Sequence, residues 1–128
     1  MPGDTPPLEL EATFEWDGRG PRAARHFVTD TLNAWGCSHL VDNAAVITTE
    51  LATNAVLHAR TDFTVTITRR PDGTIRVAVR DSSLSPPQQR QARPFDGSGR
   101  GLRLVESMAA GWGADLLPTG KVVWAQLD

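Results

Sequence analysis

The run Thr49-Glu50-Leu51-Ala52-Thr53-Asn54-Ala55-Val56-Leu57-His58 sets Glu50, Asn54 and His58 four residues apart in an otherwise apolar segment. In a helix that spacing lines the three polar side chains along one stripe. Between Asn43 and His58 the only charged residue is Glu50, so the helix is expected to be apolar nearly all round and buried. A buried carboxylate needs a hydrogen-bonded or charged neighbour, since desolvating it alone is costly or shifts its pKa. A ligand, a metal ion or a bound water would supply one. A modest solvent-facing strip on an amphipathic helix is the alternative for the stripe taken in isolation.

The bulk numbers bound what surrounds this helix. A chain of 128 residues, 40% hydrophobic and 22% charged, makes one domain with one core. Its formal charge of −2 gives no basic field for nonspecific nucleic-acid binding. The charge is nevertheless uneven. Residues 1 to 17 carry Asp4, Glu9, Glu11, Glu15 and Asp17 with no base, whereas residues 60 to 103 carry nine arginines against four aspartates. Such a half suits an anionic ligand or a solvated arginine surface. The lone Cys37 cannot form an intrachain disulfide, and no stretch resembles a signal peptide or a membrane span. A cytoplasmic protein without a membrane partner is expected. His26, His39 and His58 are too scattered for a zinc site.

Working outward from the striped helix, residues 1 to 7 read as a flexible leader and residues 8 to 128 as the domain. Leu8, Leu10, Ala12, Phe14 and Trp16 alternate with polar residues, the signature of a strand with one buried face. A helix should start at Pro21 and run to about Trp35, with Ala24, Phe27, Val28, Thr31, Leu32 and Trp35 inward and Gly36 closing it. The striped helix should span about Leu40 to Ala59. Phe63, Val65 and Ile67, a Pro71-Asp72-Gly73 turn, and Ile75, Val77 and Val79 predict a hairpin ending at Arg80-Asp81. Periodicity then vanishes from Ser82 to Phe95, a length that marks a functional or mobile loop. Gly97-Ser98-Gly99-Arg100-Gly101 leads into a short helix through Leu102, Leu104, Val105 and Met108 that Gly111 should end. Ala114–Leu117 and Val122–Leu127 close the chain as a second hairpin around Pro118-Thr119-Gly120-Lys121. This order predicts an α+β, two-layer sandwich: one mixed, mainly antiparallel sheet with helices on one face.

Two further features carry chemistry. Glycines at 97, 99 and 101 ahead of a helix could cradle phosphates through unpaired amides, or could simply tether the preceding loop. Asp81, where a buried strand ends, could accept a hydrogen bond from an exocyclic amino group, or could cap the loop through Ser82 and Ser83.

Taken together, Glu50 and Asn54 one turn apart, a strand-terminal Asp81, a loop, and Gly99-Arg100-Gly101-Leu102-Arg103-Leu104 resemble the GHKL (Bergerat) ATP-binding fold of gyrase-type topoisomerases, sensor histidine kinases and anti-sigma serine kinases. The resemblance runs from about Leu8 to Leu127. Glu-Leu-Ala-Thr-Asn-Ala-Val-Leu-His-Ala with Ser-Gly-Arg-Gly-Leu-Arg-Leu-Val-Glu is most similar to the small stand-alone, anti-sigma-factor-type branch. A sensor histidine kinase would have a dimerisation-phosphotransfer helix before the domain.

The resemblance implies ATP and Mg²⁺ as cofactors, with Asn54 as the metal ligand and Glu50 as the general base. It implies Asp81 at the adenine amino group, Ser83 lending a hydroxyl nearby, and Gly97, Ser98, Gly99, Arg100, Gly101 and Leu102 around the phosphates. His58 would close the helix by a hydrogen bond. The implied function is transfer of the γ-phosphate of ATP to a serine of an antagonist (anti-anti-sigma) protein, with a sigma factor held by a homodimer. The alternative is a nucleotide-dependent binding switch without phosphotransfer; an empty-pocket structural protein is a third reading. Two departures from the family pattern bear on nucleotide affinity. Asp81-Ser82-Ser83-Leu84-Ser85 stands where fuller members have Asp-any-Gly-any-Gly, and Lys121-Val122-Val123 stand where a threonine often assists the adenine aspartate.

Overall fold

The structure, a computed structural model, describes residues 8–83 and 97–128, with residues 97–101 described by their backbone alone. The elements follow as β1 (Leu8–Phe14), α1 (Gly20–Ala34), a 3-10 turn (Ser38–Leu40), α2 (Val41–Asn54) and a π-helical turn (Ala55–Ala59). Then come β2 (Phe63–Arg69), β3 (Ile75–Asp81), α3 (Gly97–Met108), β4 (Gly111–Leu117) and β5 (Gly120–Leu127). The leader over residues 1 to 7 and the loop positions 84 to 95, with Arg90 and Arg93, lie outside the described residues.

Alternation of period two builds the sheet. In β2, β3 and β5 every second residue is buried, among them Phe63, Val65, Ile67, Val77, Val79 and Val123. The strand order is β1-β2-β3-β5-β4. Every pairing is antiparallel, so the sheet is not mixed as the sequence suggested. Two helical legs separate β1 from β2, which returns the chain antiparallel to its start. After β3 the single leg α3 brings β4 back in the direction of β3, but β5 lies between the two and opposes both.

The edge strand departs from its pattern. Leu10 is 48% exposed, and Trp16, outside β1, is 47% exposed. Only the Phe14 end of β1 reaches the helical layer, where its ring meets Phe27 at 6.0 Å and Phe63 at 5.6 Å between centroids. At the β2–β3 turn the Thr74 amide and hydroxyl donate to Asp72 and hold its carboxyl below the usual range.

The helices cover one face, with α2 packed against both α1 and α3. Asp17 starts α1 by accepting from the Arg19 and Gly20 amides at 2.8 and 3.1 Å, with Pro21 in the first turn. Gly36, at φ 75°, ends it as anticipated, because that left-handed conformation strains any other residue type. The striped segment is not one helix buried all round. Ala44, Ile47, Thr48, Leu51 and Ala52 face the core, while Asp42, Asn43, Leu57 and His58 are exposed. Its alanines and threonines are buried or half-buried, and the apolar residue that stands at the surface is Leu57, 57% exposed; Thr49 turns its hydroxyl back to the Ala45 carbonyl at 2.8 Å. Gly111 does not end a helix but begins β4, and α3 stops at Met108.

Gly120 decides how β5 meets β3. A Cβ there would lie 1.9 Å from the Asp81 carbonyl oxygen, and its φ is 156°. Gly120→Ala is therefore expected to lower the unfolding free energy in urea by about 1–3 kcal/mol. Gly18, with nothing within 4 Å of its would-be Cβ, serves as the control, and Gly18→Ala should stay within about 0.5 kcal/mol. Equal urea midpoints for the two variants would show that the close approach is not a constraint.

Candidate functional site

Along the polar stripe of α2, Glu50 and Asn54 are half-buried and His58 is exposed. Glu50 borders a hollow of about 240 Å³ between α1 and α2, lined with Arg25, Ala45, Val46 and Thr49. A larger groove of about 480 Å³ adjoins it, bounded by Pro21, Arg22, Arg25, Thr53 and Leu57. Among the described residues Glu50 makes no ion pair or hydrogen bond. Burial raises its carboxyl pKa above the ordinary value. The protein therefore keeps a partly buried carboxylate without a partner among the described residues, which suits a proton acceptor more than a surface residue.

Asn54 ends α2, where the backbone widens into the π-helical turn. The turn closes when the Arg60 amide, on a residue at φ 55°, donates to the Ala55 carbonyl at 2.9 Å. That bond, and not His58, ends the helix. Among the described residues neither the buried Asn54 amide nitrogen nor the buried Thr48 hydroxyl has a hydrogen-bond partner. Which end of an amide is oxygen is an assignment, and a flipped amide would set the Asn54 oxygen at that buried position. No group of three or more His, Cys, Asp or Glu among the described residues could hold a metal ion by itself. The one amide oxygen of Asn54 fits a hard cation such as Mg²⁺ whose other ligands are phosphate oxygens and water.

Asp81 ends β3 in phase with Val77 and Val79, on the helix-covered face, and is 6% exposed. Its Oδ2 lies 2.9 Å from the Lys121 ammonium, itself 4% exposed, and Oδ1 accepts from the same ammonium at 3.2 Å. Oδ1 also accepts from the Ser83 amide at 2.9 Å, the loop-capping role that the sequence offered as an alternative. The register of β3 on β5 sets Asp81 directly opposite Lys121. The sequence placed Lys121 in the turn of the second hairpin and in a threonine's position, whereas it lies within β5. The signal was present: Lys121 shares the inward phase of Val123, Ala125 and Leu127, and a cation in a buried phase calls for an anion.

The glycine run is not a loop ahead of a helix. Gly97 to Gly101 are the first residues of α3 itself, and the side chains of Ser98 and Arg100 lie outside the described residues. With the helix starting at Gly97, its first four amides are the ones without a partner inside the helix. Leu102 is fully buried in the core with Val105, so its side chain anchors α3. Because α2 packs on α3 and the π-helical turn packs on β3, the elements carrying Glu50, Asn54, Asp81 and the glycines share one side of the sheet.

A family model described as a histidine kinase-like ATPase domain matches residues 18–127. Comparison with curated proteins gives no match. Among solved structures, the chain is similar to the RsbU and RsbW domains of a Mycobacterium tuberculosis protein, with a TM-score of 0.71 and 20% identity over 96% of this chain. It spans only 32% of that longer chain. It is also similar to a chain of the SiaB-SiaC complex from Pseudomonas aeruginosa, with a TM-score of 0.64 and 14% identity, over 92% of this chain and 88% of that one. At these identities the likeness is one of fold.

The unpartnered carboxylate has a thermodynamic signature. A group whose folded pKa lies above its unfolded value binds its proton more tightly in the fold. The stability it contributes is complete below the unfolded pKa and is lost as pH rises through the folded one. Glu50→Gln removes that titration. Without nucleotide, the variant should melt at or above the wild-type temperature at neutral pH, and the gap should close as the pH falls below the ordinary carboxylate range. A variant that melts well below the wild type at neutral pH would show that this carboxylate holds the fold together.

Proposed function

The chain belongs to the histidine kinase-like ATPase domain family, and from that premise we propose that it binds ATP with Mg²⁺ and transfers the γ-phosphoryl group to a serine hydroxyl of a partner protein. One observation carries this reading: α2 holds a carboxylate with no partner among the described residues and a raised pKa, one turn from a half-buried amide with an unsatisfied polar atom. A protein that only bound nucleotide would need Asn54 and Asp81, but would have no use for the costly carboxylate beside them.

In the proposed reaction Glu50 takes the proton of the attacking serine hydroxyl. That oxygen bonds to the γ-phosphorus as the bond from phosphorus to the bridging oxygen of ATP breaks, and ADP leaves with the electron pair. A raised pKa makes Glu50 a stronger base than an ordinary carboxylate. Mg²⁺, when bound, would screen phosphate charge, and Asn54 would hold it through its amide oxygen. The unpaired amides at the start of α3 would receive phosphate oxygens, helped by the positive end of the helix. Asp81 would accept from the adenine amino group.

The partner is proposed to be an antagonist protein whose serine is phosphorylated, with a sigma factor as the second protein controlled by a homodimer. Support comes from the likeness to part of a chain of RsbU and RsbW domains and to a chain solved in a complex of two proteins. No described helix is long and apolar enough to cross a membrane, and we place the protein in the cytoplasm.

ATP with Mg²⁺ is expected to raise the melting temperature by mass action, and Asn54→Ala should lose the Mg²⁺-dependent part of the rise. An unmoved wild-type melt at millimolar ATP and Mg²⁺ would sink the pocket. With labelled ATP and serine-bearing proteins encoded beside this one, Glu50→Gln should keep ATP binding while phosphoserine formation falls by roughly a hundredfold or more. Nucleotide-dependent partner binding that survives this change, with no phosphotransfer in either protein, would identify a switch instead.

A further inference from the structure

The Asp81–Lys121 pair has more hydrogen-bonding capacity than it spends internally. An ionised carboxylate has about four acceptor positions and an ammonium three donors. Asp81 Oδ1 is engaged twice, by the Ser83 amide and by Lys121, whereas Oδ2 has the single partner Lys121 among the described residues. Lys121 uses at most two of its N–H groups on the two carboxylate oxygens. One acceptor position on Oδ2 and one ammonium donor thus remain, on atoms 2.9 Å apart. Side by side, an acceptor and a donor complement a purine edge that offers an amino group next to an unprotonated ring nitrogen.

The two side chains are also held in place. Opposed register on β3 and β5 puts them on one face, and the backbone contact at Gly120 brings β5 onto the end of β3. Both groups are more than nine-tenths buried. A buried ion pair is a weak source of stability, because desolvating the two ions offsets much of their attraction. A pair kept at the end of the sheet on its helix-covered face, with its spare donor and acceptor adjacent, is better explained by what it recognises.

We propose that Lys121 is a base-recognition residue: it donates to ring nitrogen N1 of adenine while Asp81 Oδ2 accepts from the N6 amino group. The inference rests on the reading of Asp81 as the adenine-binding carboxylate. It assigns to a protein side chain the contact at N1, and it makes Lys121 a determinant of specificity.

The test compares ADP with 1-deaza-ADP, in which a C–H replaces N1, by calorimetry on wild type, Lys121→Met and Asp81→Asn. Wild type should bind 1-deaza-ADP about tenfold more weakly than ADP, the size of one charge-assisted hydrogen bond lost. In Lys121→Met that preference should disappear, because the donor that enforced it is gone. Equal wild-type affinities for the two ligands would overturn the proposal, whether or not the variant folds. A wild-type preference that persists unchanged in Lys121→Met would overturn it as well, leaving Lys121 only a charge partner. The parent reading fails separately: if Asp81→Asn binds ADP as tightly as wild type, Asp81 is not the adenine contact at all.

Discussion

The close passage of β5 over the end of β3, possible only with glycine at position 120, organises the end of the sheet that carries Asp81 and Lys121. A side chain there would strike the Asp81 carbonyl oxygen. With β5 seated so closely, the antiparallel register is pinned, Lys121 stands opposite Asp81, and the two charges meet out of water. A slip of one residue would turn Lys121 outward and leave Asp81 buried without its counter-ion, a loss far larger than any gain from the pair itself. Charge pairing and strand register therefore enforce each other.

The same economy governs the helical layer. Of the buried polar and charged side chains among the described residues, Thr31 is satisfied within α1 by the Phe27 carbonyl at 2.7 Å. The others, Thr48, Asp81 and Lys121, lie on α2 or at the end of the sheet. Glu50 and Asn54 lie on the same helix as Thr48, whereas Asp81 and Lys121 meet at the end of the sheet. Stability elsewhere comes from a plain apolar core between sheet and helices, through residues such as Leu32, Ile47, Phe63, Ile67 and Leu102.

Much of this was legible in the chain. The hairpin of β2 and β3 followed its alternation, and Asp17 through Pro21 and Gly36 bracketed α1 as their backbone chemistry requires. Element order gave the two-layer architecture. Edge strands were harder, because β1 carries the same alternation as a buried strand while Leu10 stands beyond the reach of the helices. Burial of the striped segment is hard to read for a related reason: Leu57 fits the apolar spacing yet is 57% exposed. Glycine propensity suggested a loop at Gly97, but Leu102 and Val105 lock the following turns into the core and the helix extends back through the glycines. The ion pair required knowing which strand lies beside β3, and that neighbour is β5, forty residues away in sequence.

The central claim is that Glu50 acts as a base in phosphoryl transfer. Its most direct test is the pH dependence of single-turnover γ-phosphoryl transfer from ATP to the partner serine, followed from about pH 4 to about pH 8. The account expects the wild-type rate to rise with pH through one ionisation lying above the ordinary glutamate value, as burial dictates, and then to level off. Glu50→Gln should show a low rate without that rise. A wild-type rate indifferent to pH over this range, or the same profile in both proteins, would contradict it.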